Sequence, residues 1–452
     1  PAALSTTSIS MRITTSTDAS SSPVSYLFTY SSSCSVDNGT GGTSSTWQSD
    51  SAYTDTILDI NKCYSYTAKA RDSAGTPNQT TSTATSSAYT YAATPSAPTL
   101  GSPTTSTLAI TNNQNGNPSN TTFAVQVTST SPTDSNWDGK WVDSTGAATS
   151  TVVWMSDATL DTIVVKNLAA NNQYTFTVKA KNGDSIETSQ GATGSGTTVP
   201  NIPGTPTYAS VSSSTLTVNW TAPTGGATTY KVERATSSES YTQIASGVAG
   251  TSYNATSTPN ATWYFRVRGT NSSGDGPYSA SSSQLMTPSE PGTPTYTNVS
   301  TSTLTVSWAS STNGAAFWRL ERATSALVYA EIATTTSNSR NETGLATSTT
   351  YYYKVRGNNA TGNGPYGASS NATTDSGVVR FNQLEYRFYQ NTDGTTPTSS
   401  LAAQNATATI TSTSSPIRLR LNISVTSSTL STSSQQFKLQ WSTSTTGNWT
   451  DL

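Results

Sequence analysis

Histidine is absent from all 452 residues, and cysteine occurs only twice. Without histidine there is no Ser-His-Asp triad, no Cys-His pair and no histidine-ligated zinc. Two cysteines are too few for a four-thiolate metal site. No glycine-rich phosphate loop follows a strand and opens a helix. Charge is scarce as well: 10% of residues, against about 25% in an ordinary soluble domain. The 24 acidic residues are scattered, and no carboxylate pair of the kind that cleaves glycosides stands out. The chain is therefore expected not to be an enzyme and to need no cofactor. Net charge is −2 with no long basic run, which argues against a nucleic-acid partner. No apolar stretch approaches the ~20 residues of a membrane span. The start, "PAALSTTSIS", lacks the charged head and apolar core of a signal peptide. A processed chain, or a piece of a longer one, is expected.

Serine and threonine fill the space left by charge. Such a composition suits either a disordered, mucin-like stalk or a β protein with Thr and Ser on its outward strand positions. Aromatic residues favour the second, because disordered chains are poor in them. Here there are 22 Tyr, 10 Trp and 8 Phe, recurring at regular places.

The regularity is a duplication. "PGTPTYASVSSSTLTVNW" begins at Pro203, and "PGTPTYTNVSTSTLTVSW" begins at Pro291. "ERATS" recurs at Glu233 and Glu321, and "GPY" at Gly276 and Gly364, all at the same offset of 88 residues. A fixed period of this size marks an array of similar modules. Within one copy, Leu216, Val218 and Trp220 alternate, as do Tyr230 and Val232, and then Trp263, Phe265 and Val267. Period-2 alternation between Gly- and Ser-rich turns predicts short half-buried strands and a β-sandwich.

These residues resemble the fibronectin type III family. The resemblance rests on a Pro-rich leader, a Trp on the second strand and Tyr-x-Val on the third. A Leu then stands six residues before Tyr-x-aromatic-x-Val, and "NSSGDGPYS" at Asn271 to Ser279 closes the pattern. The fourth unit carries Trp308, Trp318, Leu320, Leu345, Tyr351, Tyr353 and Val355. The Leu-to-Tyr spacing is the family's tyrosine corner. It recurs at Leu168–Tyr174 and Leu58–Tyr64, which adds two earlier units. The third unit departs from it, with Ser257 and Trp263 at these places, so the resemblance implies no regular corner there. The first two units have Ile13 and Ile110 near the place of the second-strand Trp, and the second unit carries an insertion around "SPTDSNWDGKWVDSTGAATSTVVW".

The expected fold is all-β: a tandem array of fibronectin type III-like sandwiches over 1–94, 95–200, 201–288 and 289–374, then a different β-sandwich module over 375–452. The last module rests on "QLEYRFYQ", "IRLRLNISV" and "QQFKLQW", and its abrupt end at "TGNWTDL" is expected of an incomplete module. The first unit lacks a Pro-rich leader, again expected of a chain cut from something larger.

Four features carry a functional expectation beside a structural one. Asp134, Asn136 and Asp138 in "DSNWDG" match the start of a calcium loop, although the twelfth position is Thr145 rather than an acid. The alternative is a polar turn. Trp137, Trp141 and Trp154 gather in the second unit, either to stack on carbohydrate or to cover a sandwich edge. Lys231, Glu233, Arg266 and Arg268, and then Arg319, Glu321, Lys354 and Arg356, fall on outward positions of two strands that the family pairs. They make either cross-strand salt bridges or a docking face for another subunit. Sequons such as Asn38-Gly-Thr, Asn254-Ala-Thr and Asn405-Ala-Thr permit glycosylation.

The family arrangement also bears on the cysteines. It places the end of "VSYLFTY", just before Cys34, beside the start of "YSYTAKA", just after Cys63, so a disulfide is implied, with two free thiols as the alternative. A disulfide would place the protein outside the reducing cytoplasm. The expected function is a non-enzymatic extracellular or cell-surface structural protein: a rod of sandwiches in a stalk, fibre or filament, adhesive in one version. Its partners would be further copies of itself, other surface proteins or carbohydrate. The alternatives are accessory modules of a secreted polysaccharide-degrading enzyme, or a phage tail or host-attachment component.

Overall fold

The computed structural model describes residues 1–20, 23–237, 240–324, 328–377, 381–391, 399–409, 416–425, 440–441 and 450–451. Nearly all regular structure among them is strand. The one helix described is the single turn Asp157–Leu160, capped by the Ser156 hydroxyl, which accepts from the Thr159 amide at 3.2 Å.

The chain divides into two compact units. One comprises Pro1–Ala209, Thr217–Ala255 and Trp263–Gln284; the other comprises Ser210–Leu216, Thr256–Thr262 and Leu285–Leu452.

In the first unit the opening sandwich faces Ala2–Ser5, Ser8–Arg12 and Ala52–Thr56 against Ser25–Ser31, Cys63–Arg71 and Ser86–Tyr89. Its core is Ile9, Met11, Tyr26, Phe28, Leu58, Tyr64 and Tyr66, with Ile13 packed at the margin. The next sandwich sets Thr99–Gly101, Leu108–Thr111 and Val164–Val165 against a larger sheet centred on Thr122–Ser131 and Gln173–Lys181. The insertion read from the sequence supplies the hairpin Trp141–Val142 with Ala148–Thr149 and the strand Met155–Ser156, all added to that sheet. Ile110 is fully buried in this core.

The two 88-residue copies form the same sandwich. In the first copy Thr207–Ala209, Thr215–Asn219 and Ser252–Thr256 make one sheet. Thr242–Val248, Thr229–Ala235, Thr262–Asn271 and the pair Gly274–Asp275 and Ser282–Leu285 make the other. In the second copy the corresponding sheets are Thr295–Thr297, Leu304–Ser307 and Ser339–Glu342, and Ala330–Thr335, Phe317–Ala323, Thr350–Asn359, Gly362–Tyr366 and Ser370–Thr373. Thus strands one, two and five face strands four, three, six and seven, which is the fibronectin type III-like arrangement. The alternating residues point inward: Leu216, Val218, Trp220, Tyr230, Val232, Phe265 and Val267 are buried, as are Leu304, Val306, Trp308, Trp318, Leu320, Tyr353 and Val355. Each sandwich thereby removes its large apolar side chains from water, the main favourable term in folding.

After Thr374 the described strands are Phe381–Gln390 paired with Ile417–Val425, and Gln440–Trp441 paired with Thr450–Asp451. None of the described residues in this stretch whose exposure is defined is buried. Most of "QQFKLQW" lies outside the described residues.

Candidate interaction face

The tyrosine-corner position lies at the start of the sixth strand, which carries Arg266 and Arg268 in one copy and Lys354 and Arg356 in the other. The Tyr64 hydroxyl accepts from the Asp59 amide at 2.7 Å and donates to the Thr40 carbonyl at 2.8 Å. The Tyr174 hydroxyl accepts from the Ala169 amide at 2.7 Å and donates to Asp134 Oδ2 at 2.6 Å. The Tyr351 hydroxyl accepts from the Ala346 amide at 2.9 Å. In each case the amide belongs to the residue just after the spaced Leu. Burial pushes the Tyr64 and Tyr174 hydroxyls up to about 12, and the bond to Asp134 adds to the second shift. The third sandwich has no hydroxyl at this place. Its Trp263 instead lies under the Arg234 guanidinium, 4.1 Å from the ring centroid.

Asp134 therefore has a structural post. Oδ2 holds Tyr174, and Oδ1 accepts from the Asn136 amide at 3.1 Å. Asn136 and Asp138 are exposed. Calcium at this turn would compete with Tyr174 for the Asp134 carboxylate.

The three tryptophans do not form one platform. Neither expectation, stacking on carbohydrate or covering a sandwich edge, describes Trp137, which is 1% exposed and lies in the core of the second sandwich. The insertion folds back over the sandwich and turns this indole inward, where Nε1 donates to the Asn167 carbonyl at 3.2 Å. Trp141 and Trp154 remain half-buried. Lys179 Nζ stands 4.7 Å from the Trp141 ring and 5.3 Å from the Trp154 ring, and Lys181 Nζ stands 4.6 Å from Trp154. Ammonium groups thus occupy ring faces that a sugar would need.

Cys34 and Cys63 form a disulfide, with a Cα separation of 6.1 Å. It joins the segment following Ser25–Ser31 to the start of Cys63–Arg71, which pair in antiparallel register from Ser25–Arg71 to Ser31–Ser65.

The charged residues come together on the outward face of the second sheet in both 88-residue copies. In the first copy Glu233 lies opposite Arg266, and Lys231 opposite Arg268. Arg266 meets Glu233 through Nη2 at 2.6 Å and Nε at 2.8 Å. Lys231 and Arg268 are like charges directly opposed, an unfavourable pair in isolation. Asp275 relieves it by meeting both at 2.9 Å. Tyr278 donates its hydroxyl to Glu233, and its ring lies 3.8 Å under Arg266 and 4.5 Å under Arg268. Tyr241 covers Arg266 from another side at 4.2 Å.

The second copy repeats the plan. Glu321 lies opposite Lys354, and Arg319 opposite Arg356. Glu321 meets Lys354 at 3.0 Å and Arg356 at 3.7 Å, and it accepts from the Tyr366 hydroxyl. The Tyr366 ring lies 4.0 Å from Lys354 Nζ and 4.5 Å from Arg356, while Tyr329 lies 4.3 Å from Lys354 Nζ. Arg319 is drawn off to Glu331 at 2.9 Å. Burial raises the Glu321 carboxyl, but the bonds from Tyr366 and Lys354 and the charge of Lys354 and Arg356 outweigh it and hold the group below the usual carboxylate range. Burial and the same bond to Glu321 push Tyr366 up to about 12.

Both expected partners, the cross-strand acid and base, are thus in contact in each copy. What the alternation pattern missed is the aromatic half: Tyr241, Tyr278, Tyr329 and Tyr366. A signal existed, since "GPY" recurs at the same offset as the charges, and its Tyr is the residue that ties acid and cation together. The glycine of that motif has a separate reason. A Cβ on Gly276 would sit 2.2 Å from the Pro200 carbonyl oxygen, and one on Gly364 the same distance from that of Pro288.

Among the described residues, no group of three or more acidic or cysteine side chains is placed to hold a metal ion. No helix among the described residues is long and apolar enough to cross a membrane.

No family model matches the chain. Among solved structures it is similar to the FN1–FN3 domains of chicken CNTN1, at 16% identity and a TM-score of 0.25, over 62% of this chain and 99% of that one. It is also similar to a two-domain fibronectin type III segment of chicken tenascin, at 11% identity and a TM-score of 0.28, over 38% of this chain and 99% of that one.

Proposed function

We propose that this chain is a non-enzymatic extracellular structural protein, a tandem array of sandwiches serving in a cell-surface stalk, fibre or filament. The observation that carries the proposal is what the duplication preserved. Both 88-residue copies keep the core, the Glu–cation pair and the tyrosine that bonds the acid and covers the cations, while much of the remaining surface is Ser and Thr. Repeating a module and its face lengthens a protein and presents one surface at intervals, which suits spanning and lateral self-association. The disulfide fits an oxidising compartment. Self-association through the charged face is the partner reading, with other surface proteins as a second choice and adhesion as an extension of either.

Negative-stain microscopy of the purified chain, across a range of concentrations and ionic strengths, tests the proposal. Ordered fibres or periodic assemblies that dissolve with salt support it. Single molecules at every concentration, retained on insoluble polysaccharide, would replace it with the accessory-module reading. Carbohydrate would reach the half-buried Trp141 and Trp154 only by displacing Lys179 and Lys181 from their ring faces, which makes it the second reading. Binding to whole cells without assembly would turn attention to host attachment, as in a phage tail.

A further inference from the structure

A second repeated constellation lies away from the charged face, at the tips where one sandwich meets the next. Three residues before the corner position stand Asn61, Asn171 and Asn260, before Tyr64, Tyr174 and Trp263. All three have left-handed backbone, with φ of 47°, 53° and 48°. Asparagine tolerates this region better than most residues. Eight residues after the corner position, at the end of the sixth strand or just past it, stand Asn182, Asn271 and Asn359. The two sets meet.

In the first unit, Asn271 Nδ2 donates to Asn171 Oδ1 at 2.9 Å and to the Thr198 carbonyl at 2.8 Å. Asn171 Nδ2 donates onward to the Gly225 carbonyl at 2.9 Å. The approach is close enough that a Cβ on Gly225 would lie 2.6 Å from the Ala170 carbonyl oxygen. In the second unit, Asn359 Nδ2 donates to Asn260 Oδ1 at 2.8 Å and to the Met286 carbonyl at 2.7 Å, and Asn260 Nδ2 donates to the Asn313 carbonyl at 2.8 Å. The earliest instance, again in the first unit, is a variant. Asn182 Nδ2 donates to the Thr90 carbonyl at 3.1 Å, and Asn61 Oδ1 accepts from the neighbouring Gly183 amide at 3.0 Å.

The receiving asparagine is used at both ends. Its Oδ1 closes its own loop, accepting from the Ser273 amide at 2.9 Å, the Thr361 amide at 2.9 Å or the Ile186 amide at 2.8 Å. Its Nδ2 reaches across the junction. An amide side chain does both with separate atoms, an acceptor oxygen and a donor nitrogen held a fixed distance apart. Aspartate closes the loop but has nothing to donate, and the first sandwich shows this. Asp72 occupies the corresponding place, and its carboxylate accepts from the Ala74 amide, the Asn78 amide and Asn78 Nδ2 at 2.8–3.2 Å. On the other side, the fourth sandwich has Ser348, with φ of 50° and no amide.

We propose that this asparagine pair is a docking site by which each sandwich recognises the next in the chain, a polar coupling repeated at three junctions. The surface is the tip carrying Asn182, Asn271 or Asn359, and its partner is the left-handed asparagine loop of the preceding sandwich. This goes beyond the proposed structural role, since it holds whether or not the chain assembles into fibres.

Hydrogen-exchange mass spectrometry on the full chain tests it with two variants. Asn271→Asp keeps the loop closure and removes both donors. Asn171→Gly keeps the freedom to adopt positive φ and removes the side chain. The expected result for both is about tenfold faster exchange in the segments 198–204 and 271–276, the effect of two lost hydrogen bonds, with Thr215–Asn219 and Thr229–Ala235 unchanged. Unchanged exchange in both variants would overturn the proposal. So would faster exchange spread equally through the core strands of both, which would make these residues part of the sandwich rather than of a junction. If Asn271→Asp alone unfolds its sandwich, Asn171→Gly decides between the same two outcomes.

Discussion

The two 88-residue copies share a backbone plan and differ in how they secure its edges. In the first copy Arg234 lies over Trp263. In the second, the corresponding Arg322 pairs with Glu342 at 2.8 Å, Arg340 joins from the same strand at 2.5 Å, and Tyr351 supplies the corner hydroxyl. The first copy has Ser252 and Asn254 where the second has Arg340 and Glu342. Likewise Asp275, which quiets the opposed Lys231 and Arg268, becomes Asn363, and Glu331 takes the task over for Arg319. The replacements move in sets. A duplicated module tolerates exchange of polar devices at its edge because each device has only to balance its own charges, whereas the core must fill one fixed volume.

The largest expected effect tests the shared half of that contrast. Trp220 and Trp308 are each 5% exposed, and each packs edge-on against an aromatic ring, Tyr230 at 5.3 Å and Trp318 at 6.4 Å. Trp220→Ala and Trp308→Ala should each destabilise their own sandwich by about 3–5 kcal/mol, as for other buried large aromatics. Denaturant titration followed by exchange at the core strands measures both. Unequal losses would mean that the two cores are not equivalent.

The next effect is predicted to be unequal. Glu342 is 4% exposed and is met by two arginines. Glu342→Ala should cost about 1–3 kcal/mol, because it leaves cations partly buried without their acid. Its counterpart Asn254 is exposed and accepts from the Thr217 hydroxyl at 2.8 Å. Asn254→Ala should change stability by less than about 0.5 kcal/mol. Equal losses at the two positions would refute the idea of exchanged edge devices.

How much of this was legible follows the same division. The alternating aliphatic and aromatic residues announced strands and core because period-2 burial is a local property of the chain. The Leu-to-Tyr spacing located corners even where the repeat had decayed, since both residues are tied to one loop. The acid–base pairs were visible as outward positions on paired strands. The burial of Trp137 was not legible because an insertion has no register, and only its fold shows which way an indole turns. The aromatic partners of the charges and the junction asparagines were hidden for another reason. They lie in loops or at strand ends, and their roles depend on a second segment far along the chain. Their traces in the sequence are the recurrence of "GPY" and a constant distance from the corner residue.

A smaller effect concerns the corner itself. Tyr351→Phe removes the hydroxyl that receives the Ala346 amide and should cost about 1 kcal/mol, the net worth of one hydrogen bond. Trp263→Phe in the first copy breaks no such bond; it should show its loss instead through Arg234, whose stacking a smaller ring weakens. Thermal melts of the single variants and of each combined with Arg234→Ala or Arg322→Ala separate the two. Coupling between 234 and 263 is expected to exceed coupling between 322 and 351, where the ring lies farther from the guanidinium, at 5.3 Å.

The smallest effect is a pH dependence of the charged face. Glu321 is held below its ordinary value of 4.5 by its partners, so the unfolded chain binds a proton more readily than the folded one. Its contribution to stability is therefore fully present above pH 4.5 and is lost as pH falls through the lower, folded value. Glu321→Gln cannot titrate. The difference in melting temperature between the parent chain and Glu321→Gln should be constant at neutral pH and shrink on acidification below 4.5. Added salt should reduce it only modestly, since the Glu321 side chain is 11% exposed and screening acts mainly on solvated charges. A difference that stayed the same down to acid pH would show that Glu321 acts through packing and its bond to Tyr366, and that Lys354 and Arg356 add nothing as charges.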